Sequence, residues 1–367
     1  MINKILFVIG IVGNGGAERV IVALANKLIE NNIEVGIVTI YSKRQDYELD
    51  SRINLKHITA NNKIKIFRPI ERVIKLRKYI KEYDPNCVIS FLADVNLHSI
   101  LACWNCNIPL IVSERNDPYQ DPNQKWVRRL RDLLYNRVDG LVLQTNDAKN
   151  YFDNKISEKV EQIVIPNPLT PNLPFFKGDI ENNRLITACR LNTQKNLKMM
   201  IDSIKIVNQR GIDCFLDIYG DGPLKNELIN YIKSENLESK VQLRGFTNRI
   251  HEEMLLSKAF LISSNYEGIS NSMLEALAIG IPVVSTDCPI GGAKMFIKNK
   301  INGWLTQVGN VQEFSDAIVD VFEHYEKSIK IGKEATKIRN ILNIDIICEK
   351  WLNFVQYVIK EEKINEK

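Results

Sequence analysis

No apolar run in this chain approaches the ~18–20 residues that a membrane-crossing helix needs, so no membrane span is expected. Histidine is scarce, at four residues, and the Cys-x-x-Cys pair of Cys103 and Cys106 has no second pair to complete a zinc site. The seven cysteines, Cys87, Cys103, Cys106, Cys189, Cys214, Cys288 and Cys348, are odd in number and scattered through mostly apolar segments. That pattern excludes a disulfide framework and suits reduced core thiols in a cytoplasmic protein. G-x-x-x-x-G-K-[ST] is absent, which excludes a P-loop. The turn in GIVGNGGAERV (10–20) lacks the third glycine of G-x-G-x-x-G, and the next strand, VGIVTIY, ends without an acid to hold a ribose, so a dinucleotide fingerprint fails too. What remains is a glycine-rich strand-to-helix turn, around Gly15 and Gly16, whose helix start favours an anion; the plainer alternative is a tight turn and nothing more. A small-residue cleavage site is also missing after KILFVIGIV (4–12), which reads as a first buried strand rather than a signal peptide.

What is present is a repeated alternation. Apolar, β-branched runs at 4–12, 35–41, 87–92, 109–114 and 140–145 are separated by amphipathic stretches, among them 67–82, 95–105 and 123–136. After proline-rich VIPNPLTPNLPFFKGD (164–179) the alternation restarts, with strands at 184–190, 214–220, 241–246, 259–264, 282–286 and 303–306 and helices between them, including short ones at 271–279 and 291–297 and a longer one at 311–327. Strands alternating with helices imply parallel sheets. The fold class is therefore α/β, with two Rossmann-like, doubly wound domains facing a cleft. The division runs 1–165, a linker at 166–182, 183–344, and a final helix at 345–367 that lines up Trp351, Phe354, Val355 and Val358. Ligands of such sheets bind beyond the carboxyl ends of the strands.

Several candidates fall at those ends in the second half. Arg190 closes one strand and Lys195 opens the next helix, which would suit a diphosphate, although each alone reads as a solvated charge. Gly220 and Asp221 of YGDGP form a tight turn, and Phe246 follows a third strand where a flat base could rest. EGISNSMLE (267–275) spaces two acids around a loop, Gly268, Ile269, Ser270 and Asn271. Ser272-x-x-Glu275 fits a capping box, the structural reading of that acid. The functional reading has the two carboxylates, Glu267 and Glu275, holding hydroxyls at either end of a sugar–diphosphate–ribose ligand while the helix start meets the phosphates.

GGAERV, SERNDP (113–118), RLNTQKN, YGDGPL, RGF, the Glu-x7-Glu segment and DCPIGGAKMFI (287–297), in this order, resemble retaining glycosyltransferases of family 4, which have the GT-B fold. The resemblance spans nearly the whole chain. It implies that Glu267 contacts the donor sugar, Glu275 the ribose, and Arg190 and Lys195 the diphosphate, with the Gly15–Gly16 loop close by. It also implies that the final helix returns to the N-terminal domain. Catalytic roles would fall to Arg190, Lys195 and Glu267; Asp94, Glu114, Arg115 and Asn116 would lie on the acceptor side. Many relatives have Ser-Glu-His where this chain has Ser113-Glu114-Arg115, so the histidine's role does not transfer. SERNDP occurs in relatives that use UDP-hexoses or UDP-N-acetylhexosamines, which points to a UDP-sugar. The implied mechanism is front-side attack, the leaving β-phosphate oxygen taking the acceptor's proton, with no metal or other cofactor required. Same-fold alternatives are a UDP-sugar epimerase, needing no acceptor, or a phosphorylase-like enzyme, needing a lysine for pyridoxal phosphate. A different class, a non-catalytic nucleotide-sugar-binding protein, would be expected to have lost the Arg190, Lys195, Glu267 and Glu275 set.

The charge is uneven. Residues 1–180 hold 25 Lys and Arg against 20 Asp and Glu; the remainder holds 24 against 24. Segment 63–81 has eight cations and one acid, and 124–137 has five and one, each beside an apolar stripe. Two readings stay open: the stripes pack on the sheet and leave the cations solvated, or the two segments meet anionic lipid headgroups. Nucleic acid fits poorly, because aromatics are not interleaved with the charge. The expected setting is cytoplasmic, peripheral at the inner face of the cell membrane, with a lipid-linked or saccharide acceptor, in building a surface polysaccharide.

Overall fold

A computed structural model describes every residue except Met1, Asn14, Asp179, Glu366 and Lys367, with side chains described up to Glu361. Asn14 of the first glycine turn and Asp179 of the proline-rich stretch thus lie outside the described residues. The chain divides into two compact units, one of residues 1–168 with 342–367, the other of 169–341.

The first unit holds a seven-stranded parallel sheet: β1 (Lys4–Ile9), β2 (Glu34–Thr39), β3 (Asn54–His57), β4 (Cys87–Phe91), β5 (Leu110–Ser113), β6 (Gly140–Leu143) and β7 (Glu161–Val164), in the order 3-2-1-4-5-6-7. β4, β5 and β6 are buried at every position, as their unbroken apolar runs require when helices cover both faces. β3 and β7 are edge strands of half-polar sequence, NLKH and EQIV, which is why apolar periodicity does not announce them. The helices are α1 (Gly16–Glu30), α2 (Arg68–Tyr83), α3 (Ala93–Cys103), α4 (Lys125–Leu134) and α5 (Asn146–Asp153). α1 steps from β1 towards one edge, whereas α2 to α5 step towards the other. Right-handed crossovers therefore put α1 on one face and α2 to α5 on the opposite face.

The second unit holds a six-stranded parallel sheet, β8 (Arg184–Ala188), β9 (Phe215–Tyr219), β10 (Val241–Gly245), β11 (Ala259–Ile262), β12 (Val283–Thr286) and β13 (Trp304–Thr306), in the order 10-9-8-11-12-13. Its helices are α6 (Leu197–Gln209), α7 (Lys225–Ser234), α8 (Ile250–Leu255), α9 (Asn271–Ile279), α10 (Val311–Glu323) and α11 (Tyr325–Ala335). The strand order reverses between β8 and β11, so the loops after these strands flank the switch point. The last helix, α12 (Ile344–Asn365), groups with the first unit and packs beside α1. Trp351 stacks on Phe91 with ring centroids 5.5 Å apart, and Phe354 lies where a β-carbon on Gly140 would sit, 2.9 Å from its ring.

Three expectations are corrected. The helix placed at 291–297 is a run of turns, because Gly291 takes a left-handed φ of 68° and Gly292 packs against the Gly268 backbone instead. The helix at 311–327 is two helices broken at His324. The 166–182 stretch is not a free linker: residues from Leu169 onward belong to the second unit, where Arg339 donates to the carbonyls of Leu173 and Pro174 and the Phe176 N–H to the Ile279 carbonyl.

Candidate active site in the second unit

Lys195 and Glu267 are 72 residues apart in sequence and meet at the switch point. The lysine Nζ lies 2.6 Å from both carboxylate oxygens, and the two side chains retain only 14% and 16% exposure. Burial works to lower the Lys195 ammonium, but the Glu267 carboxylate beside it prevails and holds it above its ordinary value. Ser264 Oγ donates to Glu267 Oε2 at 2.8 Å, fixing the carboxylate from its other side. The loops that carry the pair are laced together. Gln194 Nε2 donates to the Tyr266 carbonyl, Asn196 Nδ2 to Asn265 Oδ1, and Ser263 Oγ to the Lys195 carbonyl. A small pocket beside the pair is lined by Thr187, Cys189, Ser263, Ser264, Ser270 and Ser272, and burial raises the Cys189 thiol to about 11, so it stays protonated near neutral pH.

Glycine explains why the neighbouring motifs have to be where they are. A β-carbon on Gly220, whose φ is 128°, would stand 1.9 Å from the Cys189 carbonyl oxygen, so the YGDG turn presses directly on the loop that carries Arg190. Likewise a β-carbon on Gly292 would stand 1.8 Å from the Gly268 carbonyl oxygen, so DCPIGG braces the Glu267 loop. Motifs that look unrelated in sequence are one packed assembly of backbone.

Glu275 lies inside α9 at 3% exposure, accepts from Thr170 Oγ1 at 2.6 Å, and has His251 Nε2 3.1 Å from its other oxygen. The capping-box expectation is corrected: the helix begins one residue after Ser270, its N-cap, not after Ser272, and no side chain caps it. Thr170 and His251 were missed by sequence reasoning. Thr170 is 105 residues from its partner in a stretch without periodicity, and neither residue carries a motif. Arg190 follows β8 at the same edge with an exposed side chain, and among the described residues that side chain makes no bond. Asp221 is exposed and accepts from the Gly222 N–H at 2.8 Å; Phe246 is 61% exposed. Gly268, Ile269 and Ser270 are buried in the loop leading into α9, and Asn271 opens the helix half-buried.

In the first unit the expectations fare differently. Gly15 is the N-cap of α1, but the Glu18 carboxylate folds over it, 2.0 Å from where a β-carbon would be. The helix start that would greet an anion thus already holds one of the protein's own acids, which burial and, to a lesser degree, Asp94 push above its ordinary pKa. Gly16, the first residue of α1, is exposed, and so is Asp94 at the start of α3; Asn116 is half-buried. Glu114 is corrected: at 2% exposure it accepts from the Tyr135 hydroxyl, with Arg131 Nη1 3.9 Å away, and presents nothing to an acceptor. Desolvation outweighs Arg131 and pushes the Glu114 carboxyl up to about 7. Arg115 also turns inward. Its guanidinium stacks on Phe91 at 4.4 Å and Trp351 at 5.5 Å and donates to Asn167 Oδ1 at 2.9 Å.

This geometry accords with what the chain is similar to. Residues 175–338 match the family model described as glycosyl transferases group 1, and residues 14–172 match glycosyltransferase family 4. The chain belongs to these glycosyltransferases, and its fold is GT-B. It is 26% identical over 361 residues, covering 97% of this chain and 99% of the other, to a Campylobacter jejuni enzyme named GalNAc-alpha-(1->4)-GalNAc-alpha-(1->3)-diNAcBac-PP-undecaprenol alpha-1,4-N-acetyl-D-galactosaminyltransferase. Over 359 residues, 96% of this chain and 99% of the other, it is 22% identical to the amylovoran biosynthesis glycosyltransferase AmsD of Erwinia amylovora. The crystal structure of Anabaena Alr3699/HepE, solved in complex with UDP and glucose, superposes with a TM-score of 0.81 at 20% identity, covering 96% of this chain and 99% of that one.

Proposed function

We propose that the protein transfers a hexose or N-acetylhexosamine, with retention, from a UDP-sugar to a saccharide acceptor carried on polyprenyl diphosphate, in building a bacterial surface polysaccharide. The observation that carries this reading is the half-enclosed Lys195–Glu267 pair at the switch point, with Arg190 exposed at the same edge. The lipid-linked acceptor in the name of the Campylobacter relative and the UDP in the Anabaena structure support the same choice of donor and acceptor class.

In this reading the donor diphosphate draws Lys195 and Arg190, two cations whose attraction grows as negative charge collects on the leaving group. The Glu267 carboxylate, released from the lysine, accepts hydrogen bonds from the sugar hydroxyls. Glu275, oriented by Thr170, accepts from the ribose. Gly220, Asp221, Phe246 and the Gly268–Asn271 loop shape the remaining donor contacts. The Gly15–Gly16 turn meets phosphate once Glu18 withdraws. The departing β-phosphate oxygen takes the acceptor proton, so the reading calls for neither an enzyme base nor a metal. Asp94 and Asn116 stand on the acceptor side; Glu114 and Arg115 do not.

The test is a thermal-shift panel of UDP-, GDP- and ADP-sugars, followed by mass spectrometry of mixtures with polyprenyl-diphosphate-linked saccharides. Stabilisation by a UDP-sugar and an acceptor heavier by one hexose or N-acetylhexosamine is the expected result. Conversion of the UDP-sugar without any acceptor would make the protein an epimerase, and stabilisation by none of the three classes would overturn the reading.

A further inference from the structure

The Cys-x-x-Cys segment builds a corner at the amino edge of the first sheet. α3 ends at Cys103, and the Cys106 N–H donates to the Cys103 carbonyl at 2.8 Å, closing a turn in which Asn105 takes a left-handed φ of 56°. Arg77 reaches across from α2 and donates to the carbonyls of Leu101, Ala102 and Trp104, so the last carbonyls of α3 are satisfied and the corner is held in place. Trp104 and Asn105 are both exposed on it. The helical turn Tyr135–Arg137 that follows α4 brings up Arg137, and Asp139 directly precedes β6. All four residues line one cavity of about 330 Å³, whose apolar lining comes from Ile100, Ile108 and Leu110. That volume is within the range of small-molecule sites.

The polar groups of this cavity are not spent on the protein itself. The Arg137 guanidinium lies 3.9 Å from the centroid of the Trp104 ring, and among the described residues it makes no hydrogen bond or ion pair. The Trp104 indole N–H and the Asn105 amide are likewise without partners among those residues. Asp139 Oδ2 accepts from the Leu110 N–H at 2.7 Å, but no other residue donates to its second oxygen. Burial raises the Asp139 carboxyl above its ordinary value, the mark of a charge short of solvation. An acid and a cation thus line one cavity without pairing. Their charges balance, which selects a ligand without net charge: a phosphate would meet Asp139, and a lone ammonium Arg137. A hydroxyl both donates and accepts, so a polyol satisfies the carboxylate and the guanidinium together. A pyranose ring also has an apolar C–H face, which suits the negative face of an indole.

We propose that this cavity is a non-catalytic saccharide site, in which a neutral sugar residue rests against Trp104 and its hydroxyls bridge Arg137, Asp139 and Asn105. α3 separates the site from Asp94 by its 11 residues, about 16 Å along the helix axis. A sugar bound here is therefore distinct from one at the carboxyl edge of the sheet, and the site would hold a saccharide chain at a second point. The proposal stands on the first unit alone and is independent of the donor chemistry.

The test is a titration of the whole protein, saturated with UDP, by saturation-transfer NMR. The probes are glucose, galactose, N-acetylglucosamine, N-acetylgalactosamine and their disaccharides, with free amino acids and AMP as competitors. At least one sugar should bind, and Trp104→Ala and Arg137→Ala should each weaken it at least about tenfold. Both side chains are exposed, so both variants should fold and keep the wild-type affinity for UDP. Cys106 is half-buried and lines the cavity, which makes it a local reporter. The bound sugar should slow its alkylation by iodoacetamide, read by peptide mass spectrometry, and Trp104→Ala should abolish that protection. Binding by none of the sugars, or binding and protection that both variants leave intact, would overturn the proposal. So would an amino acid or nucleotide that protects Cys106 and displaces every sugar, since the cavity would then belong to a charged ligand.

Discussion

Glu267→Gln keeps the shape of the carboxylate and removes its charge, leaving the Lys195 ammonium in a poorly solvated site without its counterion. Removing one partner of a fully buried pair costs about 3–5 kcal/mol. Here both side chains keep 14–16% exposure, and water recovers part of that. A destabilisation of about 1–3 kcal/mol is expected, which in a unit of this size lowers the melting temperature by roughly 2–4 °C per kcal/mol. The sign with pH follows from the direction of the lysine shift. Lys195 is held above its ordinary value in the folded state, so the pair's contribution is complete at neutral pH and is lost only as pH rises through that raised pKa. In the glutamine variant burial acts unopposed, the lysine pKa falls, and the alkaline loss of stability begins at lower pH. The same substitution frees the ammonium for a diphosphate. Calorimetric affinity for UDP at pH 7 should stay the same or tighten, whereas sugar transfer should fall by about a hundredfold or more. Lys195→Ala should lower turnover more than donor affinity. If Glu267→Gln weakened UDP binding as much as Lys195→Ala did, the idea that the acid and the phosphate compete for one cation would be wrong.

Glu275→Ala should weaken UDP-sugar binding by about tenfold to a hundredfold, read by calorimetry, because a buried acceptor held by Thr170 is lost. Gly220→Ala would push a methyl group into the Cys189 carbonyl and strain a φ of 128°, so donor affinity and melting temperature should fall together even though no ligand-contacting side chain has changed. The Glu114 carboxyl is raised to about 7 in the folded protein, so it holds its proton where the unfolded chain has released it. Stability should decline by on the order of 3 kcal/mol as pH climbs from about 4.3 to 7. Melting curves of Glu114→Gln across that range should lack this slope, and equal slopes in both proteins would refute the assignment.

Much of the fold was legible because doubly covered parallel strands must be continuously apolar: CVISF and AFLI declare themselves without any context. The edge strands NLKH and EQIV did not, since one flank of an edge faces solvent and the alternation is too short to stand out. α5, NDAKNYFD, was missed for a related reason, with only Ala148, Tyr151 and Phe152 buried. At the site, Lys195 and Glu267 could be found as residues at strand ends, but their direct pairing is a property of two loops laced by Gln194, Asn196 and Ser263 that no local pattern encodes. Glu114 and Arg115 went astray because their acceptor-side place was carried over from the family resemblance, and only packing reveals that Tyr135, Phe91 and Trp351 enclose them. The amphipathic period of α4 was visible in sequence; which side faced inward was not, because it depends on Arg131 finding carbonyl partners 10 and 13 residues away.

Because α12 belongs to the first unit although the whole of the second is translated before it, the ribosome delivers the two bodies out of order. While the second unit emerges and can close on itself, the first waits with the Phe91 ring and the backbone at Gly140 uncovered until Trp351 and Phe354 arrive. Premature termination anywhere near the carboxyl end therefore injures the amino-terminal half. A nonsense allele that spares every residue of the donor-side loops would still yield a protein prone to capture by chaperones.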